Sequence, residues 1–194
     1  MPANLTNFSP AGGYVDSDAD DLALVERCRA GDAAAFEAIV ERYQRVLFTV
    51  ALRMLGNHAA ASDAAQNAFV KAYQKLDTFD QTRRFFSWIY RILVNECLNT
   101  QRDGRPLEAI PPGLAAVGTP ADAFEAGERR RRVQAAILAL PTEYREVIVL
   151  RHFTELSYEE IGEALHLPAK TVKSRLHTAK ERLATALRGL ESRP

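Results

Sequence analysis

"SYEEIGEALHLPAKTVKSRLHTAKERL", residues 157–183, is the stretch on which the reading of this chain turns. Ser157 with Glu160 three positions later is a capping box, and it opens a short helix through about Leu165. His166-Leu167-Pro168 breaks that helix, and a longer one runs from about Ala169 to Leu187. Two helices joined by so short a turn make a helix-turn-helix. In the second helix Val172, Leu176, Leu183 and Leu187 share a core-facing side, while Lys170, Lys173, Ser174, His177 and Lys180 share a solvent side. His166 stands where such motifs often carry glycine, because the backbone there tends to positive φ. Histidine tolerates that region better than most residues.

Charge follows the same division. Glu159, Glu160 and Glu163 precede Leu165, whereas Lys170, Lys173, Arg175, Lys180 and Arg182 follow it with Glu181 among them. Basic and hydroxyl side chains at the start of a second helix suit the major groove, where Lys or Arg reaches guanine edges and Ser or Thr bonds bases or phosphates. An ordinary helix with a solvated basic face is the competing reading, since short two-helix patterns are common.

Over all 194 residues 25 basic side chains balance 25 acidic ones, so this concentration is local. Residues 1–82 carry 7 basic and 11 acidic side chains, residues 83–105 carry 5 and 2, and residues 128–194 carry 13 and 9. Alternating acidic and basic blocks point to separate partners for separate surfaces. An apolar fraction of 47% is that of a globular protein. No apolar run approaches the roughly 20 residues that span a bilayer, and the N-terminal stretch lacks the basic start and apolar core of a secretory signal. A cytoplasmic protein is expected. Cys28 and Cys97 are too few for a disulfide framework and read as two buried thiols.

Upstream, helical periodicity dominates. A short helix over about residues 21–30 precedes Gly31, and Asp32 is placed to cap the next. There Phe36, Ile39, Val40, Tyr43, Leu47, Val50 and Met54 recur at three- and four-residue steps until Gly56-Asn57. A third helix reaches Leu76 with Phe69, Tyr73 and Leu76 on one face. A fourth covers about residues 85–101 with Phe85, Ile89, Ile92 and Leu93 inward. Residues 106–127 carry Pro111, Pro112, Gly113, Gly118 and Pro120 and read as a linker. Residues 1–20 read as a disordered extension. The expected fold is all-α: a helical bundle over residues 21–105 and a helix-turn-helix domain over residues 128–194.

Residues 138–188, above all "LPTEYREVIVLRHFTELSYEEIGEALHLPAKTVKSRLHTAKERL", resemble region 4 of extracytoplasmic-function sigma factors. Residues 21–105 resemble region 2 of that family through "AGDAAAFEAIVERYQ", "SDAAQNAFVKAYQKLDTF" and "FFSWIYRILVNECLN". The two matches lie in the family's order and cover roughly 135 of the 194 residues. The resemblance implies a bacterial initiation subunit that binds the beta and beta-prime subunits of core RNA polymerase. Region 4 would read the upstream minus thirty-five element, and region 2 would melt the downstream minus ten element. It also implies an anti-sigma factor as a partner.

Residue by residue, the resemblance places polymerase binding at Asp63, Gln66 and Asn67, the last an amide where the family has an acid. Asp63 and Gln66 also fit a capping box, a purely structural alternative. It places downstream-element contacts at Thr78, Phe79, Asp80, Gln81, Thr82, Arg83, Arg84, Phe86, Trp88 and Asn95, where aromatic faces beside guanidiniums suit single-stranded DNA. Upstream-element contacts fall at Lys170, Thr171, Lys173, Ser174, Arg175, His177, Thr178 and Lys180. Relatives commonly have arginine at the positions of Thr178 and Lys180, which implies a weaker phosphate grip here. Enzymes find little support. Glu163-x-x-His166 has di-iron spacing but lacks a second such pair, and no phosphate-binding glycine loop or Cys/His metal cluster appears. Neither cofactor nor metal is expected. A stand-alone helix-turn-helix repressor or activator remains the rival function.

Overall fold

The computed structural model describes residues 18–102, 120–154 and 156–191, and every regular element among them is helical. The first unit comprises α1 (Asp18–Arg29), α2 (Ala33–Leu55), α3 (His58–Gln74), a 3₁₀ turn (Leu76–Thr78) and α4 (Phe85–Arg102). The second comprises α5 (Pro120–Leu138), α6 (Thr142–Phe153), α7 (Tyr158–Leu165) and α8 (Ala169–Glu191).

Local signals account for most boundaries. Asp32 caps α2 by accepting from the Ala34 N–H at 3.1 Å, and Gly56 ends it in the left-handed region at φ 71°. Asn57 then caps α3, accepting from Ala60 at 2.8 Å. With that cap in place Asp63 and Gln66 stand inside α3, which disposes of the capping-box alternative for them.

The buried face of α3 is Ala60, Ala61, Ala64, Ala65, Ala68, Phe69 and Ala72. Small residues let it lie close against Ile39, Tyr43, Leu47 and Val50 of α2 and Ile89 and Leu93 of α4. Tyr73, expected inward, is instead 55% exposed with its ring edge against Phe36 at 4.9 Å. Four residues advance a helix by about 40° beyond a full turn, which carries Tyr73 past the core boundary that Phe69 still occupies. Cys97 is buried, and desolvation pushes its thiol up to about 12, with Glu96 adding to the rise. Cys28 is only partly buried, contrary to the expectation of two buried thiols.

Two expected boundaries move. α1 begins at Asp18, inside the stretch read as disordered extension, and residues 1–17 lie outside the described residues. α5 begins at Pro120, so residues 120–127 are helical rather than linker. Proline is pre-set for a first helical turn, and the alanines and glutamate that follow are good helix formers. The remainder of the expected linker lies outside the described residues.

In the second unit α6 buries Val147, Ile148, Val149 and Leu150 against Ile161 and Ala164 of α7 and Val172, Leu176, Ala179 and Leu183 of α8. The Ser157–Glu160 capping box is complete: Ser157 donates its N–H to Glu160 at 2.7 Å, and Glu160 donates its own to the Ser157 hydroxyl at 3.2 Å. His166 occupies the left-handed region at φ 56°. The Leu167 N–H turns back to the Gly162 carbonyl at 2.8 Å. That turn folds so tightly over α7 that a Cβ on Gly162 would stand 2.5 Å from the Leu167 carbonyl oxygen. Gly162→Ala is therefore expected to displace the turn and destabilise the second unit by about 1–3 kcal/mol. Thermal unfolding of wild type and variant is the measurement; an unchanged midpoint contradicts the geometry.

The units pack through the C-terminal end of α2, whose last-turn carbonyls take donors from side chains outside the helix. The Met54 carbonyl accepts from Gln101 at 3.1 Å and from Arg145 of α6 at 2.9 Å. Gln134 of α5, 2% exposed, donates to the carbonyls of Leu52 and Arg53 at 3.3 Å each and accepts from the Arg53 guanidinium at 2.6 Å. Arg53 also lies over the Phe153 ring, 5.0 Å from its centroid. Arg145 further donates to the carbonyls of Leu138 and Leu140. The second unit thus supplies donors that complete the first unit's central helix.

Candidate nucleic-acid interface

Three surfaces carry the residues singled out in the sequence. On α3, Asp63, Gln66 and Asn67 are all exposed and recur at the spacing of one helix face. The same face continues through Val70 and Tyr73, 54% and 55% exposed, the large apolar side chains that stand out among the described residues. Sequence reasoning missed Val70 as a surface residue. An uninterrupted stripe from Asp63 to Tyr73 is the signal that locates it.

The segment from Thr78 to Arg84 joins the 3₁₀ turn to α4. Phe79 anchors it from below, 3% exposed, with its ring 5.4 Å from Phe85 and 5.2 Å from Trp88. Arg29 of α1 holds the turn from the side, donating to the carbonyls of Leu76 and Phe79 at 2.7 Å each and of Asp77 at 3.2 Å. This positioning role of Arg29 has no signature in its sequence neighbourhood, since its partners lie 47 to 50 residues away. Asp80 accepts from the Thr82 N–H at 3.0 Å and its hydroxyl at 2.7 Å. Those two bonds, more than the nearby Arg83, hold the Asp80 carboxyl below its ordinary range. Thr78, Asp80, Gln81, Thr82, Arg83 and Arg84 are all exposed.

Phe79 and Phe86 do not belong to that outward surface, contrary to expectation. Phe86 is 8% exposed and packs its ring 5.7 Å from Tyr43 and 4.4 Å from Tyr90. α4 lies against α1, α2, α3 and α7 at once, so nearly every apolar side chain on it is consumed by packing. Trp88 is half-buried and Asn95 is exposed.

α8 presents Lys170, Lys173, Ser174, His177 and Lys180 to solvent, with Thr171 and Thr178 half-buried beside them. Arg175 turns the other way, donating to Glu146 of α6 at 3.4 Å. Burial pushes the Glu146 carboxyl up against the pull of Arg175, and Glu143 adds to the rise. Arg175 therefore braces α8 on α6 and does not stand with the solvent row. Arg182 lies over the Tyr144 ring at 4.7 Å and His177 reaches Glu181 at 3.5 Å. Burial, then Lys180 and Arg151, lower the pKa of His152 beneath this helix, which keeps its imidazole neutral near pH 7. Among the described residues no group of three His, Cys, Asp or Glu could hold a metal ion, and no helix is long and apolar enough to cross a membrane.

These surfaces can be set beside known proteins. The family profile described as Sigma-70 region 2 matches residues 39–106, and that described as Sigma-70, region 4 matches residues 130–183. The chain is 40% identical over 179 residues to the ECF RNA polymerase sigma factor SigW of Bacillus subtilis, an alignment covering 86% of this chain and 96% of SigW. A structure of CnrH in complex with the cytosolic domain of CnrY superposes with a TM-score of 0.70 at 28% identity, covering 89% of this chain and 99% of that one. The sigma factor RpoE of Bartonella quintana, solved with the anti-sigma factor NepR, superposes at 0.65 and 25% identity over 79% of this chain and 96% of its own. A region 2 bundle and a region 4 helix-turn-helix, in that order and over nearly the full length of the relatives, make this chain a member of the extracytoplasmic-function sigma factors of the sigma-70 family.

Proposed function

We propose that the chain directs core RNA polymerase to promoters by assigning one partner to each of the three surfaces, acting in the cytoplasm and without a catalytic centre of its own. The exposed row on α8 carries the reading: Lys170, Lys173, Ser174, His177 and Lys180 project from the second helix of a helix-turn-helix, where they meet base edges and phosphates of the upstream element. The rim formed by Thr78, Gln81, Thr82, Arg83 and Arg84, with Trp88 and Asn95 beside it, takes the downstream element as it unstacks. Asp80 shapes that rim through Thr82. The α3 stripe docks on the polymerase. An anti-sigma protein, such as the NepR bound to RpoE, is the expected antagonist.

Reconstituted transcription tests the reading. Initiation at specific promoters is expected only when the protein is combined with bacterial core enzyme. Tight duplex binding by the protein alone, without stimulation of core, would establish a stand-alone repressor or activator instead. Within that assay Lys173→Ala is expected to alter which upstream sequences are used, at a cost of about 1–3 kcal/mol at the preferred base. Lys180→Ala, farther along the helix, is expected to weaken all promoters alike and reduce the salt slope by about one. Uniform loss in Lys173→Ala with unchanged sequence preference would place the register of α8 in the groove wrongly.

A further inference from the structure

Among the described residues His166 alone combines a side chain with a positive φ, 56° with ψ 43°. The other left-handed positions, Gly31 and Gly56, are filled by glycine, which takes that conformation without a Cβ penalty. Position 166 has no freedom to relax. Leu167 sends its N–H back to the Gly162 carbonyl at 2.8 Å and packs its side chain on the core, and the His166 N–H goes to the same carbonyl. On the other side the Pro168 carbonyl accepts from Thr171 at 2.8 Å and Val172 at 3.1 Å, which fixes the start of α8. The backbone therefore imposes the left-handed conformation on whatever residue stands there, and histidine bears a strain that glycine would not. No side-chain bond offsets it: His166 is exposed, and among the described residues its imidazole makes no hydrogen bond or ion pair.

The place of His166 in the motif supplies a partner from outside. Lys170 and Lys173 stand in the first two turns of α8, four and seven residues on, and both are exposed. Four residues separate two Cα atoms by at most about 14 Å, and the major groove is about 12 Å across. With the start of α8 in the groove, the turn comes to one of its phosphate edges. Resting on the reading of α8 as the helix that enters the upstream element, we propose that the His166 imidazole N–H donates to a DNA backbone phosphate at that edge. A phosphate contact positions a helix and carries no sequence information. His166 thus sets how firmly α8 is seated and leaves the choice of bases to Lys173 and its neighbours. The rival role is structural, an imidazole at the C-terminal end of α7 interacting with the last carbonyls of that helix. Glycine at this position gives opposite results under the two roles.

The deciding experiment is His166→Gly, with His166→Lys beside it, in the full chain assembled with core polymerase. The probe is a fluorescein-labelled duplex carrying upstream sequence that the wild-type holoenzyme selects from a randomised library. In the free chain His166→Gly is expected to raise the thermal midpoint by about 2–4 °C, because the turn loses its strain. In the holoenzyme it is expected to weaken duplex binding about three- to tenfold, with sequence preference unchanged. His166→Lys keeps the strain but supplies a donor with a full charge. It is expected to restore wild-type affinity and to steepen the salt slope by about one. Wild-type affinity in His166→Gly would overturn the proposal. So would a lowered midpoint together with weaker binding, which marks a structural role, and so would failure of His166→Lys to recover affinity. Lys173→Ala distinguishes the two ways of failing. Weaker binding there beside wild-type binding in His166→Gly leaves α8 in the groove and removes only the His166 contact. Wild-type binding in both takes α8 out of the groove as well.

Discussion

Asp21→Ala is expected to lower the stability of the first unit by about 3–5 kcal/mol, the largest single-residue effect on folding that the structure offers. The Asp21 side chain is fully buried, 0% exposed, where α1 crosses α2. One carboxylate oxygen accepts from the Arg42 guanidinium at 2.5 Å and the other accepts from the hydroxyl of Tyr43, itself fully buried. Truncation removes the buried acceptor of both donors. It takes the close compensating charge from a guanidinium and leaves a phenol facing a cavity, in surroundings where an unmatched polar group costs most. α1 has few other means of attachment, Val25 being its main buried apolar side chain. Because α1 also carries Arg29, its loosening should release the 76–79 turn. Urea unfolding gives the magnitude, and hydrogen exchange in residues 76–84 the consequence. A loss under about 1 kcal/mol would show that Arg42 and Tyr43 find other partners at little cost.

Asp21 and Arg29 also show where sequence reading stops. Helix starts and stops are encoded within a few residues, so Asp32, Gly56, Asn57, Ser157, Glu160 and His166 announce their roles through cap geometry alone. The helix-turn-helix was legible for the same reason, and with it the outward row on α8. Contacts between residues far apart in the chain carry no such local mark. Arg42 with Asp21, Arg29 with the 76–79 carbonyls, Gln134 with the end of α2, and Arg84 with Glu160 are all of that kind. Periodicity also misjudges helices that are packed on several sides. It identifies one apolar face on α4, but neighbours on further sides bury Phe86, Tyr90 and Val94 as well. Conversely, Tyr73 and Val70 look like core by type and are surface by position.

That last misfit leads to the largest functional effect expected. A helix that leaves Val70 and Tyr73 half in water, in line with Asp63, Gln66 and Asn67, has an apolar centre and a polar end on one face. Stable interfaces are built this way: an aromatic anchor contributes most of the binding energy and a charge at the edge sets orientation. Tyr73→Ala is therefore expected to weaken assembly with core polymerase by about 2 kcal/mol or more, roughly thirtyfold at the least. Asp63→Arg reverses the charge at a position to which the family resemblance assigns polymerase binding, and about a hundredfold loss is expected. Neither change should alter duplex binding by α8, because α3 does not touch that helix's exposed row. Tyr73 packs on Phe36, so some loss of stability accompanies the first variant; the second keeps that contact and separates binding from folding. Gln44→Ala, on an exposed position of α2, is the neutral reference. Core affinity measured by competition with a labelled wild-type chain decides the matter. Wild-type affinity in Asp63→Arg, together with full affinity in Tyr73→Ala, would move the polymerase contact off α3 and leave its apolar stripe to another partner.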